Sequence, residues 1–189
     1  AFEHQVLQHR LKATLLIGDA RNSILFVNNS GFQADAIFLD PFSPPHCPQL
    51  WTVEFIKQLS MSLDICGLLA TYSCAAAVRT ALLAASLEIG STAPVGRKTP
   101  GTVAGHRGVG ALGELGEQGI CPSSVLPPLS QAEQEHLLTR AAIVYRDPQL
   151  CDTADVILRR RQQEQQASLL EPTSHWRKRW SSKSQLESL

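Results

Sequence analysis

In the run Ala34-Asp35-Ala36-Ile37-Phe38-Leu39-Asp40-Pro41-Phe42-Ser43-Pro44-Pro45, an apolar stretch ends in an acid and is stopped at once by proline. A carboxylate at the carboxyl end of a buried strand stands where open α/β sheets bind their ligands. Pro41, Pro44 and Pro45 delay any following helix, so a functional role for Asp40 is more natural than a capping one. A second acid, Asp19, follows the apolar run Ala13–Ile17 and Gly18. Glycine there lets a ligand approach the backbone closely. Asp19 can accept a hydrogen bond from an amine or hydroxyl, such as an adenine amino group, or it can cap the next helix. Both readings stand.

Other residues carry weaker signals. Tyr72-Ser73-Cys74 ends a third apolar strand on the same edge, where the Tyr72 ring suits core packing. Trp51 opens the helix after the Asp-Pro loop and suits either packing or contact with a planar group. Arg97-Lys98 lies in a loop that could contact phosphate, or it is a solvated pair. Arg159–Arg161 and Trp176-Arg177-Lys178-Arg179-Trp180 could grip RNA by charge and stacking, or form a solvated, mobile tail. Cys74 has no histidine partner placed by sequence and reads as a buried thiol.

The elements that must position these residues alternate. Residues 13–17 read as a strand buried on both faces, 20–33 as a short crossover helix and turn, and 35–39 as a second strand. Leu50 to Leu63 has helical spacing, Gly67 to Ser73 reads as a third strand, and Ala75 to Leu87 is an alanine-rich helix. Residues 88–93 and 102–106 read as edge strands. Such alternation implies an α/β fold with parallel pairing and right-handed crossovers. Residues 107–129 are rich in Gly and Pro and read as a loop or insertion. Ser130-Gln131-Ala132-Glu133 is a capping box opening a helix to about Arg140, and Asp152 reads as the cap of a helix to about Ser168. Beyond Pro172 the chain is polar and reads as a disordered tail.

Composition narrows the class. The chain has 189 residues, 43% hydrophobic and 18% charged, which suits a globular protein. Net charge is zero, so no global field points to nucleic acid, but residues 159–183 hold seven Lys/Arg against Glu164 and Glu171. The five cysteines form no C-x-x-C pair and the six histidines show no metal-ligand spacing, so no metal site is expected. No apolar run reaches membrane-spanning length and no signal peptide is visible. These features suggest a cytoplasmic protein with reduced thiols and no membrane partner.

Taken in order, Gly18-Asp19-Ala20, Asp35 to Pro44, Leu50-Trp51-Thr52, Leu69 to Ser73, Val78-Arg79 and Gly96-Arg97-Lys98 carry a resemblance. Each motif alone is unspecific, while the ordered set, over roughly residues 13–104, is specific. It resembles the methyltransferase domain of the bacterial tRNA wobble-uridine enzymes that form 5-methylaminomethyl-2-thiouridine. The tail after Pro127 resembles extensions on cyanobacterial-type members.

The resemblance implies a Rossmann-like class I fold, S-adenosyl-L-methionine as cofactor, and an aminomethyl uridine of tRNA as substrate. It implies Asp40 beside the reacting amine as the catalytic residue. Gly18, Asp19, Ala20 and Asp40 would form the cofactor side, and Pro41, Phe42, Trp51, Arg97 and Lys98 the substrate side. It further implies an FAD-dependent oxidoreductase partner, fused or separate, as in some relatives. The family's first strand and glycine-rich loop should lie upstream of residue 1. On this reading, residues 1–106 are the C-terminal part of a methyltransferase domain incomplete at its N-terminus. Residues 107–129 are a loop, and 130–189 a helical extension with a polar basic tail. Two alternatives remain: a catalytically incompetent fragment serving RNA binding or scaffolding, and a methyltransferase acting on a different amine or base.

Overall fold

The computed structural model describes residues 2–5, 12–96, 98–107 and 126–186. In chain order the strands are β1 (Phe2–Gln5), β2 (Lys12–Leu15), β3 (Ala34–Phe38), β4 (Leu63–Thr71), β5 (Leu87–Thr92) and β6 (Gly101–His106). The α-helices are α1 (Ala20–Asn29), α2 (Val53–Ser62), α3 (Ala76–Ala84), α4 (Gln131–His136), α5 (Ala154–Ala167) and α6 (Thr173–Leu186).

The main sheet has the order β3-β4-β6-β5. β4 is its spine. Leu63, Gly67, Leu69 and Thr71 are buried at alternate positions, the period of a strand. β3 pairs with β4 in parallel, and α2 runs between them, as a parallel connection requires. β6 lies antiparallel to both β4 and β5. Helix α2 buries Val53, Phe55, Ile56 and Leu59, while α3 buries Ala77, Val78, Ala81 and Leu82 in the same core. Short alanines let α3 pack closely. Each fully buried aliphatic side chain, Ile56 or Leu82 for example, contributes about 1.5–3 kcal/mol.

The structure departs from the sequence expectations in several places. The run 13–17 does not enter the main sheet. Lys12–Leu15 pairs antiparallel with Phe2–Gln5 in a separate two-stranded sheet, and all four of its residues are exposed. An apolar run shows that a segment can be buried, not which strand will pair with it. Residues 102–106 are no edge strand either: β6 sits between β4 and β5, with four consecutive buried positions. Helix α5 is preceded by Thr153 rather than capped by Asp152. The Asp152 carboxylate instead accepts from Arg160 at 2.8 Å.

The expected disordered tail is helix α6. Its Trp176 ring stacks on His136 of α4, with centroids 4.1 Å apart, and its indole donates to the Ala132 carbonyl at 3.0 Å. Trp180 donates to Glu135 at 2.8 Å, and Arg179 pairs with both Glu135 and Glu171. Aromatic burial against α4 supplies what the polar composition of the tail concealed. The thiol expectation is also corrected at one position: Cys47, Cys74 and Cys151 are free, whereas Cys66 is disulfide-bonded.

The C-terminal third packs into the common core. Tyr145 and Ile157 belong to the same buried cluster as Trp51 and Ile56. The Val53 amide donates to the Tyr145 carbonyl at 3.1 Å, and Arg161 lies 4.5 Å over the Tyr145 ring. Most of residues 107–129 fall outside the described residues. Pro127, just after them, takes a hydrogen bond from the Ser91 amide on β5. Among the described residues no helix is long and apolar enough to cross a membrane, and no group of three His, Cys, Asp or Glu is placed to hold a metal ion.

Candidate active site

Strand β3 ends at Phe38, and the chain turns through Leu39 and Asp40 into the proline-rich loop. Leu39 stays tied to the sheet, its amide donating to Ala70 at 2.9 Å. Two aromatic residues then hold the loop backbone. The Trp51 indole donates to the Phe42 carbonyl at 2.8 Å, and the Tyr72 hydroxyl donates to the Pro41 carbonyl at 3.0 Å. The two rings meet edge to face at 6.4 Å. Ser43 and His46 close the next turn through a 2.8 Å side-chain hydrogen bond. The loop is thus fixed from both sides while Asp40 remains exposed. Among the described residues the Asp40 carboxylate takes no hydrogen bond or ion pair.

Asp40 borders an open concavity of about 200 Å³, walled by Leu39, Thr71, Tyr72, Thr92 and Thr102. Beside this wall the backbones pack closely: a Cβ on Gly101 would come within 2.7 Å of the Thr92 hydroxyl and 2.9 Å of the Thr71 carbonyl. Buried Thr102 donates to the Ser73 carbonyl at 2.7 Å and accepts from Arg79 Nε at 2.9 Å. Arg79 is itself only 2% exposed and pairs with Glu133 at 2.8 Å. Burial alone would raise the Glu133 carboxyl, but hydrogen bonds from Ser91, Ser130 and Arg79 outweigh it and hold the group down to about 2. Ser130 and Glu133 also complete the capping box of α4, so one carboxylate serves both helix and wall.

The second acid sits on a neighbouring turn. Gly18 has φ +145°, a conformation glycine tolerates and side chains resist, with open space where a Cβ would stand. Asp19 caps α1 by accepting from the Arg21 amide at 2.9 Å. Its carboxylate is also gripped by the Arg21 guanidinium at 2.7 Å, which lowers its pKa. The Cys47 thiol, at the far end of the Asp40 loop, is raised chiefly by burial and further by the Asp19 charge. The Asp19 charge is thus felt at the Cys47 end of the loop. Beside α1, Leu16, Ile17 and Phe26 line a second open hollow of about 240 Å³.

The structure thus brings Asp40, Pro41, Phe42 and Tyr72 together around one loop, while Gly18 and Asp19 lie on the turn that opens α1. Phe42 and Phe38 present open rings, 81% and 83% exposed. Trp51, expected to touch substrate, is fully buried, so it acts on the site only through the loop it anchors. Lys98 is exposed on the β5–β6 connection, and Arg97 lies outside the described residues. Trp176 and Trp180 are engaged with α4, which removes them as open stacking platforms.

Sequence reasoning missed Arg21, Asp147, Thr102 and the second role of Glu133, its pairing with Arg79 and Ser91. Only Arg21 left a signal. A cation in the first turn of a helix opposes the helix dipole and asks for an anionic partner.

Comparison with known proteins agrees with the geometry. The model of a family described as S-adenosyl-L-methionine-dependent methyltransferase matches residues 1–107. The tRNA 5-methylaminomethyl-2-thiouridine biosynthesis bifunctional protein MnmC of Ralstonia nicotianae is 39% identical over 95 residues, 50% of this chain and 14% of that protein. Its counterpart in Pseudomonas fluorescens is 32% identical over 130 residues, 67% of this chain and 18% of that protein. The crystal structure of MNMC2 from Aquifex aeolicus aligns with a TM-score of 0.71 and 30% identity, over 87% of this chain and 48% of that one. The chain therefore spans under one fifth of these two curated relatives and about half of the solved one.

Proposed function

The chain belongs to the S-adenosyl-L-methionine-dependent methyltransferase family, with its Rossmann-like fold, and on that premise we propose that it methylates the aminomethyl group of a wobble uridine in tRNA. The product would be 5-methylaminomethyl-2-thiouridine. The observation that carries this reading is Asp40: a carboxylate without a partner among the described residues, at the carboxyl end of β3, on a loop fixed by two aromatic residues. The ordered motifs around it resemble the wobble-uridine enzymes, and two relatives bear that pathway in their names.

The residues present fit the cofactor at its adenine end. Gly18 leaves open space and Asp19 retains exposed carboxylate, while Ile17 offers an apolar surface that is 76% exposed. When bound, the cofactor supplies an electrophilic methyl group on a sulfonium sulfur. Asp40 accepts a hydrogen bond from the substrate amine, orients its lone pair, and stabilises the positive charge that develops on nitrogen. Pro41 fixes the backbone beside it. The Phe38 and Phe42 rings offer faces on which an unstacked base can lie. Lys98, with Arg97, is assigned to the phosphate backbone of the tRNA.

We assign the transfer chemistry to residues 1–106 and a bracing role to 130–189, with 107–129 connecting them. The setting would be the cytoplasm, with tRNA as partner and an FAD-dependent oxidoreductase supplying the aminomethyl precursor. The reading as a non-catalytic RNA-binding module is weakened by the packing of Trp176 and Trp180.

The test uses labelled S-adenosyl-L-methionine and tRNA carrying 5-aminomethyl-2-thiouridine. Label should appear on the wobble nucleoside. Label on another base, or on none, would overturn the substrate assignment.

A further inference from the structure

Asp147 lies far along the chain from the site and is fully buried. Among the described residues its ionic partner is Arg21, whose Nη1 donates to it at 2.7 Å and to the Asp152 carbonyl at 2.9 Å. The other Asp147 oxygen is held by the amides of Cys151 and Asp152, each at 3.1 Å. The Asp147 amide in turn donates to Glu54 of α2 at 2.8 Å. This carboxylate therefore cannot turn, and it holds one side of the guanidinium in place. The opposite side of Arg21, Nε and Nη2, grips Asp19 at 2.7–3.2 Å.

Capping α1 does not require this arrangement. A cap needs only the Asp19 oxygen on the Arg21 amide. Burying a second carboxylate behind the arginine is costly, and a planar guanidinium transmits orientation as well as charge. Three N–H groups of Arg21 make four contacts with the two Asp19 oxygens, the Nε–H being shared between both, so three hydrogens meet about four lone-pair sites and acceptor capacity for one more hydrogen remains on Asp19. The Asp19 side chain is 40% exposed, so that capacity is open to a ligand.

We propose that Asp147, acting through Arg21, is a positioning residue that aims the free acceptor site of Asp19 at the cofactor's adenine amino group. The C-terminal strap around Asp147 thereby sets nucleobase selectivity at a turn that is distant in sequence. The inference rests on the cofactor reading above and adds two residues to it.

Titration calorimetry on the full chain tests it, with S-adenosylhomocysteine and S-inosylhomocysteine as probes. The second carries an oxygen where the first has the amino group. Wild type should favour the adenosyl form by about tenfold or more. Asp147→Asn keeps the shape and both backbone contacts but loses the charge, and should cut that preference to within about twofold. Arg21→Lys keeps the charge without the fork and should do the same, which covers the case in which the first variant folds poorly. In an Asp19→Ala background neither change should alter the preference further. Equal weakening of both ligands, or an unchanged preference in folded variants, would overturn the inference and leave the cofactor reading intact. Failure of wild type to bind either probe would overturn both.

Discussion

Asp40 and Trp51 divide the work of the site between an exposed charge and a buried anchor. Because Asp40 has no partner among the described residues, Asp40→Ala should leave stability within about 0.5 kcal/mol of wild type. Methyl transfer to tRNA should nevertheless fall by about 100-fold or more, the scale of losing a charge-stabilising group. Thermal melts beside single-turnover assays check this pair of outcomes, and near-normal turnover would sink the role given to Asp40. Trp51→Phe removes the hydrogen bond that holds the Phe42 carbonyl and trims a fully buried ring. A loss of about 1–3 kcal/mol is expected in urea unfolding. Turnover should drop while cofactor affinity holds, because the loop loses its tether and Asp19 does not. At this scale Asp40 was readable from sequence, since proline and strand chemistry are local. Arg21 with Asp147 was not, because their pairing spans 126 residues.

Elements are tied together here by few, strong polar links. Glu133 joins α4 to Arg79 of α3 and to Ser91 of β5. Glu133→Gln keeps a capping-box residue but leaves the Arg79 charge buried without its carboxylate, at a cost on the order of 2 kcal/mol. The pH dependence has a definite sign. The folded carboxyl sits near 2, below its ordinary value of 4.5, so its contribution is complete above about 4.5 and is lost as pH falls toward 2. Partial solvent access limits that contribution to on the order of 1–3 kcal/mol. Denaturant titrations from pH 6 to 2 should show the variant losing less stability than wild type; parallel slopes would remove Glu133 from this account. The capping box itself was legible, because Ser130 and Glu133 are three residues apart. The second duty of Glu133 was not legible, because Arg79 and Ser91 reach it only through the fold.

For the whole molecule, the segment after Leu138 behaves as part of the core. It brings Tyr145 and Ile157 into the cluster around Trp51 and Ile56. Removing residues 139–189 would take Tyr145 and Ile157 away and uncover the cluster they pack against, at about 1.5–3 kcal/mol for each large apolar side chain that loses its burial, against a typical total stability of 5–15 kcal/mol. A chain ending at Leu138 should therefore lose its near-ultraviolet circular dichroism and bind a hydrophobic dye. A cooperative melt like that of the full chain would show the segment to be dispensable. The sequence by itself determined the helices α2 and α3, strands β3 and β4, the Asp40 turn and the methyltransferase resemblance. Each depends on periodicity, prolines or ordered motifs within a few tens of residues. Only the tertiary structure decided that β2 leaves the main sheet, that β6 lies inside it, and that α6 is a helix. It also decided that Asp147 stands behind Asp19. Strand pairing and buried ion pairs join residues far apart in the chain, and no local pattern records which partner a side chain will meet.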